Sequence, residues 1–380
     1  MTVEDTLREL VAIDSVSARS NAEIISYLED RCKCVGFEVK QFLHIDERGV
    51  EKINLVAQTP VRDPITSQNS AAVELALVGH TDTVPYDPDW TDALNLTMRD
   101  EKLFGRGACD TKGFITAALT AAENIDLQKL KKPLALVFTA DEEIGCLGAK
   151  RLAAAKPFAV HNAVVGEPTS LQPMRAGKGY CVAEITVHGR EAHSAYPQFG
   201  ASAIFRAAHL IQGIEAMARE LEQDQRAAFD PPYTTVNVGM INGGSAKNIV
   251  PGSCHFTLEW RSIPNQRTDY VLDLLRNEIR QMNHDDPDFI CDIKANRADE
   301  SFETPVDSPL VQFLELITMK PSGTVAFGTE APGMIALGAE AVVFGPGDIR
   351  VAHRSGEFVP VAELEQCVTI LRQTIEKFCG

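Results

Sequence analysis

The sequence predicts an α/β protein: a mixed, mostly parallel sheet with helices on both faces, plus an inserted ferredoxin-like α+β lid domain. Three observations lead there. Short apolar runs at residues 73–78, 133–139 and 161–165 alternate with amphipathic stretches of helical length, the order expected of strands buried beneath crossover helices. From about residue 178 to 297 that rhythm gives way to strand, helix, strand, strand, helix, strand, the ferredoxin-like order. At 380 residues the chain also exceeds what one hydrophobic core usually supports. Two domains are therefore expected, a discontinuous catalytic one (1–177 with 298–380) and the insertion (178–297).

Taken in order, Thr2-x-x-Asp5 and Ser20-x-x-Glu23 each read as a capping box ahead of apolar residues at helical spacing, so two helices open the chain. Strands at about 38–43 and 52–58 follow, then a polar loop at 60–71 containing Pro60, Pro64 and Ser67. The central strand ends at His80. Asp82, two residues on, shares its face and can accept one ring N–H of His80, leaving the other nitrogen free for a metal. Glycines at 107 and 113 let the backbone bend and present Asp110 at the start of a helix over about 113–124. The strand at 133–139 runs into Asp141-Glu142-Glu143, a helix covers about 145–155, and the strand at 161–165 runs into Gly166-Glu167-Pro168. The insertion holds strands at about 180–188, 234–241, 252–261 and 288–296, with helices at 200–222 and 268–283. The chain closes with a helix at 307–318, a loop at 327–332, a strand at 341–345, His353, and a helix at 361–378. No internal repeat or low-complexity tract interrupts this order.

Composition narrows the function classes. A net charge of −17 argues against a nucleic-acid partner, because phosphate binding is driven by clustered Lys and Arg. With 44% hydrophobic and 23% charged residues the chain reads as a soluble globular protein acting on a small molecule. No apolar run is long enough to span a membrane, and the first residues lack a signal peptide's basic start and apolar core. A cytoplasmic location is expected. Nine scattered cysteines without a C-x-x-C pair favour reduced thiols over a disulfide framework or a thiolate zinc site.

The chemistry collects at strand ends: His80, Asp110, Glu142, Glu143, Glu167 and His353. Two imidazoles and several carboxylates suit a borderline divalent ion such as zinc, cobalt or manganese. One carboxylate bridging two ions, each with one histidine and one further carboxylate, uses five of these six. The sixth is then available as a base, although spacing alone does not say which it is. Two ions roughly 3.5–4 Å apart can activate a shared water and polarise a carbonyl, the requirements for hydrolysing an amide or ester.

The stretches Gly79-His80-Thr-Asp82-Thr-Val-Pro85, Gly105-x-Gly107-x-x-Asp110-x-Lys112-Gly113, Ala140-Asp141-Glu142-Glu143, Gly166-Glu167-Pro168-Thr169-Ser170 and Gly345-Pro-Gly347 with His353 carry a resemblance. Together they resemble the M20 family of dinuclear zinc amidohydrolases and peptidases over essentially the whole chain. The resemblance implies two divalent ions, zinc or cobalt: one on His80 and Glu167, the other on Glu143 and His353, with Asp110 bridging. It makes Glu142 the proton carrier and Asp82 the residue that orients His80. It implies a homodimer formed through the lid, with His193 reaching the partner's site, and Asn248 and Arg261 binding the substrate carboxylate.

The loop Gly328-Thr329-Glu330-Ala331-Pro332 resembles that of family members that deacetylate N-acetylornithine in arginine biosynthesis. Glu330 is expected to meet the ammonium end of such a side chain. A succinyl-diaminopimelate desuccinylase, another aminoacylase or a dipeptidase would share the same centre. A non-catalytic metal-binding relative is the remote alternative. Leu147 and Lys178 lie where family members differ, which leaves the pocket size open.

Overall fold

The strand Val73–His80 is buried along almost its whole length because it is the middle of a sheet covered on both sides. The structure, a computed structural model, describes residues 2–60 and 72–380, so Pro64 and Ser67 of the expected polar loop lie outside the described residues. The chain divides into two compact units: Met1–Ala176 with Glu303–Gly323 and Thr329–Gly380, and Gly177–Phe302 with Thr324–Gly328. The sequence offers no local signal for the small excursion at 324–328.

Seven strands of the nine-stranded main sheet lie in the order Glu38–Ile45, Glu51–Gln58, Leu134–Thr139, Val73–His80, Val160–Val165, Glu340–Val343, Met174–Gly177. The four strands from Leu134–Thr139 to Glu340–Val343 pair in parallel. The flanking strands pair antiparallel, which makes the sheet mixed. Leu75, Leu77, Leu134, Leu136 and Phe138 join one core with the helices Val3–Ala12, Ala22–Val35, Lys112–Glu123, Pro309–Thr318 and Val361–Cys379. The alternate residues Ala76, Val78, Ala135 and Val137 point the other way and are equally buried, on the face where Leu147–Ala155 and Ala331–Ala336 pack. Burial on both faces is why these strands read as unbroken apolar runs. The register aligns His80 with Thr139 and Val78 with Val165, so the polar segments after all three strands leave the sheet at one edge.

The second unit is a four-stranded antiparallel sheet in the order Thr235–Gly243, Ser253–Arg261, Tyr180–His188, Ile290–Asp299. Its helices, Ala203–Leu221 and Tyr270–Asp285, bury one face around Ile185, Leu210, Phe256, Leu258 and Leu275. The strand–helix–strand–strand–helix–strand connectivity and this spatial order are those of a ferredoxin-like fold.

Two local expectations are corrected. The Thr2–Asp5 capping box forms, but Ser20 and Glu23 make none: the N-cap is Asn21. The Asn21 amide is committed elsewhere, bridging both main-chain groups of Ile53 and the Thr81 hydroxyl, so it caps nothing itself; the Ser20 hydroxyl accepts the Ala22 N–H at 3.2 Å instead. The loop expected at 327–332 turns at its end into a short helix, Ala331–Ala336, with Pro332 in its first turn, where a missing N–H costs nothing. Among the described residues no helix is long and apolar enough to cross a membrane.

Candidate metal centre

His80 closes its strand with a fixed ring. Its Nδ1–H donates to the main-chain carbonyl of Asp82 at 2.9 Å, and a carbonyl can only accept, so Nε2 is the nitrogen turned to the site. The Asp82 carboxylate is not the partner expected from the sequence, since its nearer oxygen lies 3.7 Å from Nδ1. That carboxylate is already engaged, accepting the Ser17 hydroxyl at 2.7 Å and the N–H groups of Glu142 and Glu143 at 3.0 and 3.3 Å. Asp82 therefore orients His80 with its backbone and the Glu142–Glu143 turn with its side chain.

Asp110 lies between the two histidines. Its Oδ1 is 3.1 Å from His80 Nε2, and its Oδ2 is 3.0 Å from His353 Nε2, which also meets Glu143 Oε2 at 3.1 Å. The backbone that carries it is clamped by buried Glu357, whose Oε1 accepts the N–H of Cys109 and of Asp110 at 2.9 and 3.0 Å, while Oε2 pairs with Arg106. The sequence reading missed Glu357 and Arg106. They stand about 250 positions apart, and no spacing pattern links an isolated Glu to a distant Arg.

Two groups of donors result, His80–Asp110–Glu167 and Asp110–Glu143–His353, each with its ligand atoms within 4.8 Å of one another. Zinc–nitrogen and zinc–oxygen bonds of about 2.1 Å at tetrahedral angles set neighbouring donors roughly 3.4 Å apart. The 3.0–3.1 Å separations around Asp110 fit that spacing, and Asp110 offers one oxygen to each group. Glu143 Oε1 has no hydrogen-bond partner among the described residues despite being buried. The donor set fits two divalent cations.

The electrostatics point the same way. Burial lifts the Glu142 pKa to about 8, with the negative charges of Glu143, Asp110 and Glu330 adding to the effect and His80 opposing it. Burial and the neighbouring carboxylates Asp110 and Glu142 raise Glu167 well above the ordinary range, and Glu143 is raised as well. Hydrogen bonds to Asp110 and Glu143 hold His353 up at about 10. Carboxylates crowded beyond what two imidazoles can neutralise are a site built for positive charge.

The remaining predicted residues divide between the units. In the second, the segments at 192–194 and 248–250 run side by side: His193 bridges to Ile249, and Ser194 N–H donates to the Asn248 carbonyl at 3.0 Å. His193 and Asn248 are thereby brought together, and both are exposed. Arg261 stacks 4.2 Å from the Tyr180 ring centroid and donates to Glu259 and the Ala326 carbonyl, which occupies two of its five donors. Gly328 also belongs to the second unit, beside Arg297 and Asp299. Thr329 and Glu330 belong to the first. Glu330 is 1% exposed, and neither oxygen has a hydrogen-bond partner among the described residues. Burial raises its pKa to about 7, opposed by the charge of His80.

With this geometry in place, the comparisons with known proteins are informative. Residues 76–377 match Peptidase family M20/M25/M40. An acetylornithine deacetylase from Myxococcus xanthus is 50% identical over 376 residues, spanning 99% of this chain and 97% of that protein. Among solved structures, the PepT aminopeptidase of Bacillus cereus aligns with a TM-score of 0.75 at 20% identity, over 99% of this chain and 98% of that one. A dinuclear metal binding peptidase of the M20 family from Bacillus subtilis aligns with a TM-score of 0.68 at 12% identity, over 99% and 98%.

Proposed function

The chain belongs to Peptidase family M20/M25/M40, a family of metal-dependent hydrolases, and on that premise we propose that it converts N-acetylornithine to ornithine and acetate. One observation carries the chemistry: Asp110 presents one oxygen to each of two histidine–carboxylate groups, with the Glu142 carboxylate, which belongs to neither group, buried beside them. His80, Asp110 and Glu167 would hold one divalent ion, and Asp110, Glu143 and His353 the other, with zinc or cobalt as the metal. When bound, such ions supply Lewis acidity for the carbonyl and a lowered pKa for the attacking water. Glu142 accepts that water's proton and passes it to the departing amine.

Substrate choice rests on the half-identical acetylornithine deacetylase and on Glu330, a buried carboxylate with no hydrogen-bond partner among the described residues, which suits the ammonium end of ornithine. Within the second unit, Asn248 and Arg261 are the candidates for the α-carboxylate, for which a forked guanidinium is well shaped, together with Gly328; Thr329 accompanies Glu330 in the first unit. The protein acts as a homodimer through the second unit, where His193 serves the partner's oxyanion. Support for the dimer comes from that unit's surface. Phe199, Phe205 and Met240 are each about 70% exposed, and Thr235–Gly243 is an edge strand with unpaired backbone. Nine free thiols support a reducing, cytoplasmic setting.

The test is amine release from N-acetylornithine, N-succinyl-diaminopimelate and N-acetylmethionine by metal-stripped protein, with and without zinc or cobalt. Metal-dependent turnover favouring N-acetylornithine is expected. Preference for another of the three would keep the mechanism and move the substrate. No metal-dependent turnover of any would refute the reading.

A further inference from the structure

Lys52 is only 1% exposed, in a strand whose sequence, Lys52-Ile53-Asn54-Leu55, alternates as though one face were wet. Both faces are covered. The Lys52 ammonium donates to Asp141 Oδ1 at 2.6 Å and to the Ser17 carbonyl at 2.7 Å. On the same face Asn54 accepts the Ala140 N–H at 2.9 Å and donates to the Gly148 carbonyl at 3.0 Å. Two side chains of one strand thus grip the segment from 140 to 148, which carries Glu142 and Glu143. The fit tolerates no substituent at Gly148, where a Cβ would lie 2.4 Å from both Ala140 O and Asn54 Oδ1.

Asp141 adopts φ +60°, a left-handed conformation that side-chain-bearing residues enter at a cost and that surrounding contacts must hold. That conformation turns the next two N–H groups, those of Glu142 and Glu143, onto the Asp82 carboxylate. Asp82 is tied through the Ser17 hydroxyl to the residue whose carbonyl Lys52 also holds, so the ring of contacts closes. His44, directly opposite Lys52 across the strands, puts Nε2 3.7 Å from the other Asp141 oxygen. A buried ion pair is a poor source of stability compared with packed apolar side chains, and its better-attested use is to specify one geometry.

We propose that Lys52, through Asp141, is a positioning residue for hydrolysis: it fixes the turn that aims Glu142 and places Glu143 in its donor group. This rests on the roles proposed above for those two carboxylates. The test compares the full-length wild type with Lys52→Met, Lys52→Arg and the double variant Lys52→Met/Asp141→Asn. The readouts are calorimetric zinc titration of metal-stripped protein, kcat and KM for N-acetylornithine, and thermal melting.

The expected result for folded Lys52→Met is at least a tenfold weaker second zinc equivalent. Its kcat should fall at least tenfold with KM within twofold, and Lys52→Arg should recover part of both. The double variant leaves no lone buried carboxylate; it should show the same losses and stands in if Lys52→Met does not fold. Folded variants that only melt earlier, with wild-type zinc affinity and kcat, overturn the proposal. A wild type that binds no zinc and hydrolyses nothing overturns both this and the reading beneath it, and the wild-type arm alone reveals that.

Discussion

Glu330→Gln separates the charge of this carboxylate from its shape. Folding moves its pKa from 4.5 to about 7, chiefly through burial. Below 4.5 the carboxyl is protonated whether the chain is folded or not, and the shift has no effect. Between 4.5 and about 7 the unfolded chain ionises while the folded one keeps its proton, so the folded state binds more protons and stability falls as pH rises. Above that window the penalty is complete, at roughly 3–4 kcal/mol given about 1.4 kcal/mol per pH unit. Glutamine cannot ionise, so the substitution should stabilise the metal-stripped protein by roughly 2–3 kcal/mol more at pH 8 than at pH 5. Urea unfolding at the two pH values, in chelator, measures the difference. An equal effect at both would refute the assignment of a buried, unneutralised carboxylate. In the metal-loaded enzyme the same variant should lose its preference for N-acetylornithine over N-acetylmethionine; an unchanged preference would remove Glu330 from the substrate site.

Three further outcomes follow from the same geometry. Glu142→Gln should lower kcat by about 10²–10⁴ while metal analysis still finds two ions, and loss of an ion would make Glu142 a ligand instead. Ser17→Ala removes the hydroxyl that the buried Asp82 carboxylate accepts at 2.7 Å; it should destabilise the first unit by about 1–3 kcal/mol in urea, and no change would mean that water or another donor replaces it. Phe205→Glu, at an exposed apolar position of the second unit, should convert a dimer to a monomer in light scattering, whereas a wild type that is already monomeric would end the dimer assignment.

The residues gathered at the candidate metal centre are the ones the sequence marks most openly, for a physical reason. His80, Asp141–Glu143 and Glu167 follow apolar strands whose parallel register brings their ends to one edge, so a polar residue there stands out against its own lead-in. The second unit is legible for a similar reason: its strand Tyr180–His188 buries every second residue, the period-two signal of a one-sided sheet. What supports the centre is hidden, because those groups reach it from elements with no signal of their own. Lys52 and Asn54 mimic a solvent-facing strand edge, since period two distinguishes two faces but not water from a second buried layer. Asp82 is identified by residue type, yet only the structure shows its main chain holding His80 while its side chain holds the turn after Thr139. The identity of a candidate donor depends on its own side chain and is visible in the sequence. Ligand placement depends on contacts such as Lys52–Asp141 and Glu357–Asp110, 89 and 247 positions apart, which only folding brings together. The positioning residues of this centre are therefore to be sought among its buried, paired ionic side chains rather than near its motifs.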